Sequence, residues 1–544
     1  MAVKRYFSTK DNTITNAYKP DLTTRATGSN MGASDIMEVF SVYGQAATGS
    51  TELARLLVQF PVEGTDAGQI KGDRTAGTIP ASGSVRFYFK MYNARHAETL
   101  PDNYTLNVLA VSQSWEEGFG LDMNEYTDNT NQEVVGSNWT YATKDTAWTD
   151  EGGDYHTSSD GYTAGTAGVL HSTTMPTYTE YFTSGYEDLE VDVTAMVEEW
   201  VAGTQGNYGF GIFLTSSNEA YFNSPNAGTY QHELHNTDGP KDSYYTKKFF
   251  GKGTEFFFRR PVIEARWDSS TSDDRGNFFY SSSLASAENN LNTLYLYNYV
   301  RGQLQEIPGL GTHKRVYLSL FSGSDDNTKP DGSALLLSAD NDGSVRASYP
   351  QVVTGGIVST GIYSASFAFT GSPGLTKTWD VWFTGSDGTK SAEDAITQYH
   401  TGAIDPMMLS ASNMNPTDSF VTKITNFKPV YSKKEEPKLR LFVRKKDWSP
   451  SLYTAATANI ETETIDKAYY RVTRAVDGHE VISFGTASST DHTKISFDVS
   501  GNYFDLDMSL LEENYMYKIH FAYYTNGQYH EQPEEFVFRV EEET

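Results

Sequence analysis

The sequence predicts an all-β protein built from tandem antiparallel β-sandwich or jelly-roll domains, with one short helix in the first domain. Three observations carry this. Gly, Ser, Thr, Asn and Asp break the chain every ten residues or so. Between the breaks lie short runs with alternating apolar positions, such as residues 53–60 (LARLLVQF), 85–92 (VRFYFKMY) and 316–321 (VYLSLF). Long helical periodicity is scarce. Such runs fit half-buried antiparallel strands, and their regular spacing fits sandwiches.

The helix is predicted over residues 192–203 (DVTAMVEEWVAG). Val193, Met196, Val197 and Trp200 recur at the 3.6-residue period and form one apolar stripe. Asp192 or Thr194 is placed to cap its start, and Gly203 to end it in a left-handed turn. A strand follows at residues 208–214 (YGFGIFL).

Two polar stretches divide the chain. Residues 267–275 (WDSSTSDDR) follow a strand-like run. Residues 431–437 (YSKKEEP) combine a charge run with a proline, as a short linker does. The predicted domains are 1–268, 269–435 and 436–544. Residues 124–185, rich in Thr, Ser, Gly and Asn, are expected to form a long loop excursion from the first sandwich. No repeat of fixed period occurs.

The last domain is the most sharply patterned. Residues 469–476 and 481–484 flank Asp477-Gly478, a tight hairpin signal. Tyr515, Tyr517, Ile519, Phe521 and Tyr523 alternate strictly, and Asn526-Gly527 turns the chain toward residues 536–540. Leu510 and Leu511 before the alternating strand mark the tyrosine-corner region of immunoglobulin-like and fibronectin-like sandwiches.

Composition narrows the function. The 544 residues carry 42 Lys and Arg against 70 Asp and Glu, a formal charge of −28. That argues against nucleic acid bound through a generally basic surface and against docking on an anionic membrane. With 36 Tyr and 30 Phe, the cores are expected to rely on large rings. Cysteine is absent, which removes disulfides, thiolate metal sites and cysteine nucleophiles. No apolar run is long enough for a membrane span. The charged start (MAVKRYFSTK) has no apolar signal-peptide core, so the chain is expected to be made in a cytoplasm and to leave by a route such as lysis.

Motifs of chemistry are few. A phosphate-binding glycine loop, a dinucleotide fingerprint and a nucleophile elbow are all missing. His232 and His235 (HELH) have the wrong spacing for a zinc-protease pair and read as loop histidines. With 70 acids, spacing alone selects no carboxylate pair for glycoside hydrolysis. The acidic stretch 340–343 (DNDG) lacks EF-hand spacing and reads as a turn. Two other acidic loops, 115–122 (WEEGFGLD) and 148–154 (WTDEGGD), are calcium candidates through Glu117, Asp122, Asp150 and Asp154. Trp115, Trp139 and Trp148 lie in Gly/Asp-rich loops and are candidates for a glycan-stacking platform. Trp200, Trp379 and Trp382 read as core.

The first domain resembles the DNRLRE-type β-sandwich modules of extracellular and surface proteins. The matching residues are 11–18 (DNTITNAY), 30–39 (NMGASDIMEV), 52–61 (ELARLLVQFP), 114–118 (SWEEG), 191–200 (VDVTAMVEEW) and 258–265 (FRRPVIEA). Their order agrees with that family, although its eponymous signature is not present as such. The resemblance concerns fold more than activity.

The chain as a whole resembles virion structural proteins of the T-even-like myophages of marine bacteria, such as those infecting cyanobacteria and pelagibacters. The cues are residues 1–7 (MAVKRYF), 28–40 (GSNMGASDIMEVF), 447–450 (DWSP) and 499–511 (VSGNYFDLDMSLL). The resemblance implies a late-made, lysis-released particle component of the neck, tail, baseplate or fibre-attachment region, located in the virion. It brings no catalytic residues or cofactor. The implied partners are other virion proteins and copies of the chain itself, with no nucleic acid and no membrane insertion. A surface protein of the particle that binds a host-surface glycan or receptor is the alternative. A polysaccharide depolymerase ranks below both, since a β-helix repeat is missing. The first domain is expected to anchor on neighbours and the last to be peripheral.

Overall fold

The computed structural model describes residues 2–44, 51–95, 101–122, 136–157, 175–223, 232–282, 290–310, 314–323, 331–338, 352–369, 375–384, 397–407, 419–446, 462–486, 490–525 and 527–542. The fold is nearly all β. The chain divides into two compact units, one of residues 2–268 with 487–492, the other of 269–486 with 493–544.

The N-terminal unit packs two antiparallel sheets. The smaller runs in the order β1 (Val3–Phe7), β13 (Val262–Arg266), β5 (Arg86–Met91), β10 (Leu189–Asp192). The larger runs β12 (Tyr244–Phe250), β3 (Ile36–Tyr43), β4 (Thr51–Gln59), β11 (Phe210–Leu214), β6 (Tyr104–Ala110), β9 (Thr177–Phe182), and β2 (Lys10–Thr15) also pairs with β4. A small hairpin, β7 (Tyr141–Thr143) with β8 (Thr146–Ala147), lies outside both. Alternation sets the inward face. Phe87, Phe89 and Met91 of β5 meet Leu56 and Val58 of β4 and Phe210 and Ile212 of β11 in one core.

The predicted helix is α2 (Thr194–Ala202). Its stripe of Met196, Val197 and Trp200 is buried, and Gly203 ends it at φ 76°. The N-cap residue is Val193, with no side-chain cap, so neither Asp192 nor Thr194 occupies the predicted cap position, although Asp192 Oδ1 accepts from Thr194 N at 3.0 Å. Trp200 is fully buried, 4.8 Å from the Phe210 ring centroid. The unit also holds a second helix, α1 (Ile70–Thr75). At six residues (IKGDRT) it is too short to show an apolar stripe.

The second unit holds two β-modules. In the first, one antiparallel eight-stranded sheet runs β14 (Leu291–Tyr297), β21 (Ile362–Phe369), β20 (Val353–Ser359), β17 (Val316–Gly323), β22 (Thr378–Thr384), β23 (Thr397–Ile404). Short strands β18 (Asp331–Ala334) and β19 (Leu337–Ser338) pair with β17 and β21, and β15 (Tyr299–Val300) pairs with β16 (Gln303–Leu304). Trp382 is fully buried in its main core, and Trp379 packs in a second cluster with Phe321 and Phe383. Both tryptophans are core residues, as their setting in residues 378–383 predicts.

The last module is a two-sheet sandwich. One sheet runs β24 (Phe420–Ile424), β26 (Lys438–Lys445), β30 (Gly501–Asp505), β29 (Ser496–Asp498). The other runs β25 (Val430–Ser432), β33 (Phe536–Glu541), β31 (Met516–Thr525), β27 (Ala468–Arg474), β28 (Glu480–Ile482), with β32 (Gln528–Glu531) pairing β31. The Asp477-Gly478 hairpin is present, with Gly478 at φ 69°. Buried Tyr517 donates from its hydroxyl to Glu512 O at 2.7 Å, the hydrogen bond of a tyrosine corner.

This sandwich starts earlier than residue 436. Strands β24 and β25 belong to its two sheets, and β25 runs parallel to β33. Residues 431–437 therefore do not act as a linker: Tyr431 is buried, and Glu435 accepts from Ser432 N at 3.1 Å and pairs with Lys428 at 2.9 Å. A charge run with a proline reads the same whether it crosses between domains or turns tightly beside a sheet.

Candidate functional site

The N-terminal unit carries the densest chemistry, and it begins with strand β4. Residues 53–58 (LARLLV) carry apolar side chains on both faces, with Arg55 between Leu53 and Leu57. Leu56 and Val58 point to the main core, while Leu53 and Leu57 point away from it into a second one. That second core contains Trp115, Trp139 and Trp148, with Ile14, Val111 and Ala142.

The three tryptophans are 1%, 0% and 5% exposed, so they offer no stacking face and the predicted glycan platform is not formed. Each indole N–H is also taken. Trp115 donates to Tyr208 O at 2.8 Å, Trp139 to His232 O at 3.2 Å, and Trp148 to Asn138 O at 2.8 Å. The physical reason is the outer face of β4: its leucines need cover, and residues 136–148 supply it. This part of the expected 124–185 excursion is thus a packed lid. Residues 123–135 and 158–174 lie outside the described residues.

Two of the four calcium candidates, Glu117 and Asp154, are spent on separate protein partners, and Asp150 lines a cleft. Glu117 accepts from Asp11 N at 2.9 Å and pairs with Lys252 Nζ at 2.8 Å. Asp154 accepts from Thr149 N, Asp150 N and the Gln113 amide at 2.8–2.9 Å, which closes its own loop. Asp122 lines a different hollow, beside Thr15 and Ile36. Among the described residues no three His, Asp or Glu side chains come together to hold a metal ion. The acidic turn at 340–343 lies outside the described residues. His232 and Glu233 are loop residues: His232 Nδ1 lies 2.9 Å from Glu151 Oε1, and Glu233 pairs with Arg25.

Sequence reasoning missed the residues that are chemically most unusual. Arg55 is 8% exposed and bound by both oxygens of Glu219, at 2.9 and 3.1 Å. Its guanidinium lies 4.4 Å from the Phe213 ring centroid and 5.7 Å from that of Trp139. Burial opposes the charge, and the Glu219 carboxylate reverses this, so the Arg55 pKa lies above its ordinary value. Beside it opens a cleft of about 770 Å³ walled by Tyr155 and Phe213, with Asp150, Glu151, Asp154 and Gln205 among its polar lining.

A second network crosses all four strands of the smaller sheet. Glu264 of β13 accepts from Arg5 of β1 at 2.8 Å and from Arg266 at 2.6 Å, with Lys90 of β5 at 3.8 Å. Lys90 and Arg266 also pair with Glu190 of β10, at 3.1 and 2.6 Å. Burial opposes ionisation of Glu264, but Lys90, Arg5 and Arg266 hold its carboxyl well below the usual range. These charges tie neighbouring strands together in register. In the second unit Arg275 likewise grips buried Asp380 at 2.7 and 2.5 Å, and the Trp382 indole donates to the same carboxylate at 2.8 Å.

An exposed aromatic feature of the unit follows β12. A turn of 3-10 helix at Phe257–Arg259 leaves Phe256 and Phe257 45% and 42% exposed. Their rings touch Phe250 and Phe7, and guanidinium groups of Arg259 and Arg260 lie over them. Aromatic rings interleaved with arginines are the composition of protein interface cores. No helix among the described residues is long and apolar enough to cross a membrane. Comparison with known proteins finds no matching family model and no matching curated protein.

Proposed function

We propose that the chain is a non-enzymatic structural component of a bacteriophage virion, in the neck, tail, baseplate or fibre-attachment region, and that it works by protein–protein assembly. The virion assignment draws on the resemblance in residues 1–7, 28–40, 447–450 and 499–511. The assembly reading is carried by one observation, the exposed Phe256–Phe257 surface with Arg259 and Arg260 laid over it. Two phenylalanines left in water cost apolar burial that a partner would recover. The deep charged groups fit the same reading, because Arg5, Lys90, Glu190, Glu264 and Arg266 bind one another across strands.

The test is a map of the intact particle, with mass spectrometry of purified particles. The reading expects the chain at fixed copy number with residues 256–260 against a neighbour. A chain confined to the lysate and absent from particles overturns it, and reducing sugar released from host polysaccharide by the purified chain overturns its non-enzymatic part.

The alternative, a receptor- or glycan-binding surface on the particle, draws on the cleft beside Tyr155 and Phe213 rather than on the tryptophans. Its test is retention on immobilised host polysaccharide, abolished by Gln205→Ala.

A further inference from the structure

Lys247 of β12 is held where water is scarce. It is 2% exposed, and its ammonium lies 4.9 Å from the ring centroids of both Phe182 and Phe249. Its hydrogen-bond partners are all neutral. Nζ donates to Glu187 O at 2.6 Å, to Gly185 O at 2.8 Å and to the side-chain oxygen Oδ1 of Asn93 at 2.7 Å. Burial pulls its pKa down to about 8, and the charges of Asp188 and Glu187 offset this only in part. A lysine so placed loses its proton far more readily than one in water, and a desolvated neutral amine is a nucleophile.

The electrophile is in place. Asn93 Oδ1 is bonded to the carboxamide carbon, so that carbon stands one bond beyond the atom that Lys247 already touches. A buried ammonium is ordinarily matched by a carboxylate. Here its side-chain partner is a carboxamide, which carries a leaving group. The backbone fixes the approach. Asn93 follows β5 and pairs with Phe249 in an antiparallel bridge. On either side of it, Ala94 N donates to Lys248 O at 3.0 Å and Phe250 N to Tyr92 O at 3.1 Å. Asp188 Oδ1 accepts from Asn93 N at 2.7 Å, which puts a carboxylate beside the pair. Two reactants held in this way react as if at very high concentration.

We propose that Lys247 and Asn93 condense into an intramolecular isopeptide bond. Lys247 gives a proton to the Asp188 carboxylate, and the neutral Nζ attacks Cγ of Asn93. The Nζ–Cγ bond forms and the Cγ–Nδ2 bond breaks. Nδ2 takes one hydrogen from the amine and leaves as ammonia, which collects the proton from Asp188 and departs as ammonium. Nothing is oxidised or reduced, and no co-reactant is consumed. Escape of ammonium into bulk water draws the step forward. The link joins β12, at the edge of the larger sheet, to the end of β5 in the smaller one, so it staples the two layers of the sandwich. It is independent of the assembly reading.

Intact-mass spectrometry of the denatured full chain tests it, together with peptide mapping after trypsin. After incubation at mildly alkaline pH, the mass is expected to fall below that of the sequence by one ammonia. The map is expected to hold a branched peptide joining the Lys247 and Asn93 fragments. Lys247→Arg and Asn93→Ala are each expected to keep the full mass of their own sequence and to give no branched peptide. The wild-type mass and map decide by themselves, so a variant that fails to fold does not blunt the test. A wild type of full mass overturns the inference. So does a missing ammonia that maps elsewhere, such as to a succinimide at Asn526-Gly527.

Discussion

Glu219 binds Arg55 with both carboxylate oxygens under the aromatic cover of Phe213, Tyr155 and Trp139. Two opposite charges in a dry setting are stable only as a pair. Arg55→Met leaves Glu219 buried without its cation and is expected to cost about 3–5 kcal/mol. Adding Glu219→Leu removes the stranded charge and is expected to recover most of that loss. Urea unfolding of the two variants checks the pair. A double variant as unstable as the single one would place the cost in packing rather than in charge.

Trp200 joins α2 to the main core through Phe210. Trp200→Ala is expected to destabilise by about 3–5 kcal/mol, as truncation of large core aromatics does. The indole Nε1 is buried and makes no hydrogen bond. Trp200→Phe removes that unsatisfied donor along with some volume, so it is expected to cost much less than alanine. Thermal melting of both variants separates the two terms.

Several carboxyl groups titrate in the neutral range. Burial is the first cause in each case. It raises Asp11 to about 7, with the Glu117 charge adding to it, and it raises Asp274 to about 7, with Asp466 adding to it. Between the ordinary carboxylate pKa and 7, the folded chain therefore holds more protons than the unfolded chain. Stability linked to these groups is present at low pH and is lost as pH rises toward 7. Groups lowered in the fold, such as Glu264 and Asp477, act in the opposite sense: they stabilise above the ordinary carboxylate pKa, and that contribution fades under acid conditions. Asp274→Asn keeps an acceptor for Thr293 N, bonded at 2.7 Å. It is expected to flatten the fall in urea midpoint between pH 5 and pH 7.5. An unchanged slope would mean that Asp274 is ionised throughout.

Calcium gives a direct check on the acidic loops. Glu117 and Asp154 already have their oxygens on Lys252 and on backbone amides. Added calcium, or a chelator, is expected to leave the melting temperature unchanged within about a degree, because a ligand that binds only the folded state must raise it. A rise that saturates with calcium would show a site the described residues do not contain.

The strands were legible because alternation records burial on one face. Residues 85–89 and 515–519 alternate in sequence and in burial, while residues 89–91 and 519–523 are buried at every position. The tryptophans of the second core were not legible, because their neighbours are Gly and Asp, which mark loops but do not say what a loop covers. The missing signal lay elsewhere in the chain. Residues 53–58 are apolar at every position but Arg55, which marks a strand buried on both faces. A sheet with both faces dry needs a second layer, and aromatic loop residues were available to form it. The Arg55–Glu219 pair could not be read at all, since 164 positions separate its members and no local pattern links them.

The same blindness to long-range pairing produced the linker reading of residues 431–437, and Tyr431 tests the corrected view. Its ring is 1% exposed and lies edge-on to Phe538 at 5.6 Å and to Phe427 at 6.2 Å. Its hydroxyl accepts from Lys428 N at 2.8 Å. Strand β25, which carries it, pairs in parallel with the penultimate stretch of the chain, Tyr431 opposite Val540. A parallel edge pair of three residues contributes little by itself, so the tyrosine ring must supply most of the attachment. Tyr431→Ala is expected to destabilise the last sandwich by about 3–5 kcal/mol. Tyr431→Phe keeps the ring and loses one hydrogen bond, for an expected cost of about 1 kcal/mol. Hydrogen exchange of the β33 amides reads both variants locally. Strong loss of protection in the alanine variant with near-normal protection in the phenylalanine variant is the expected pattern. Equal protection in all three proteins would return residues 431–437 to the role of a linker.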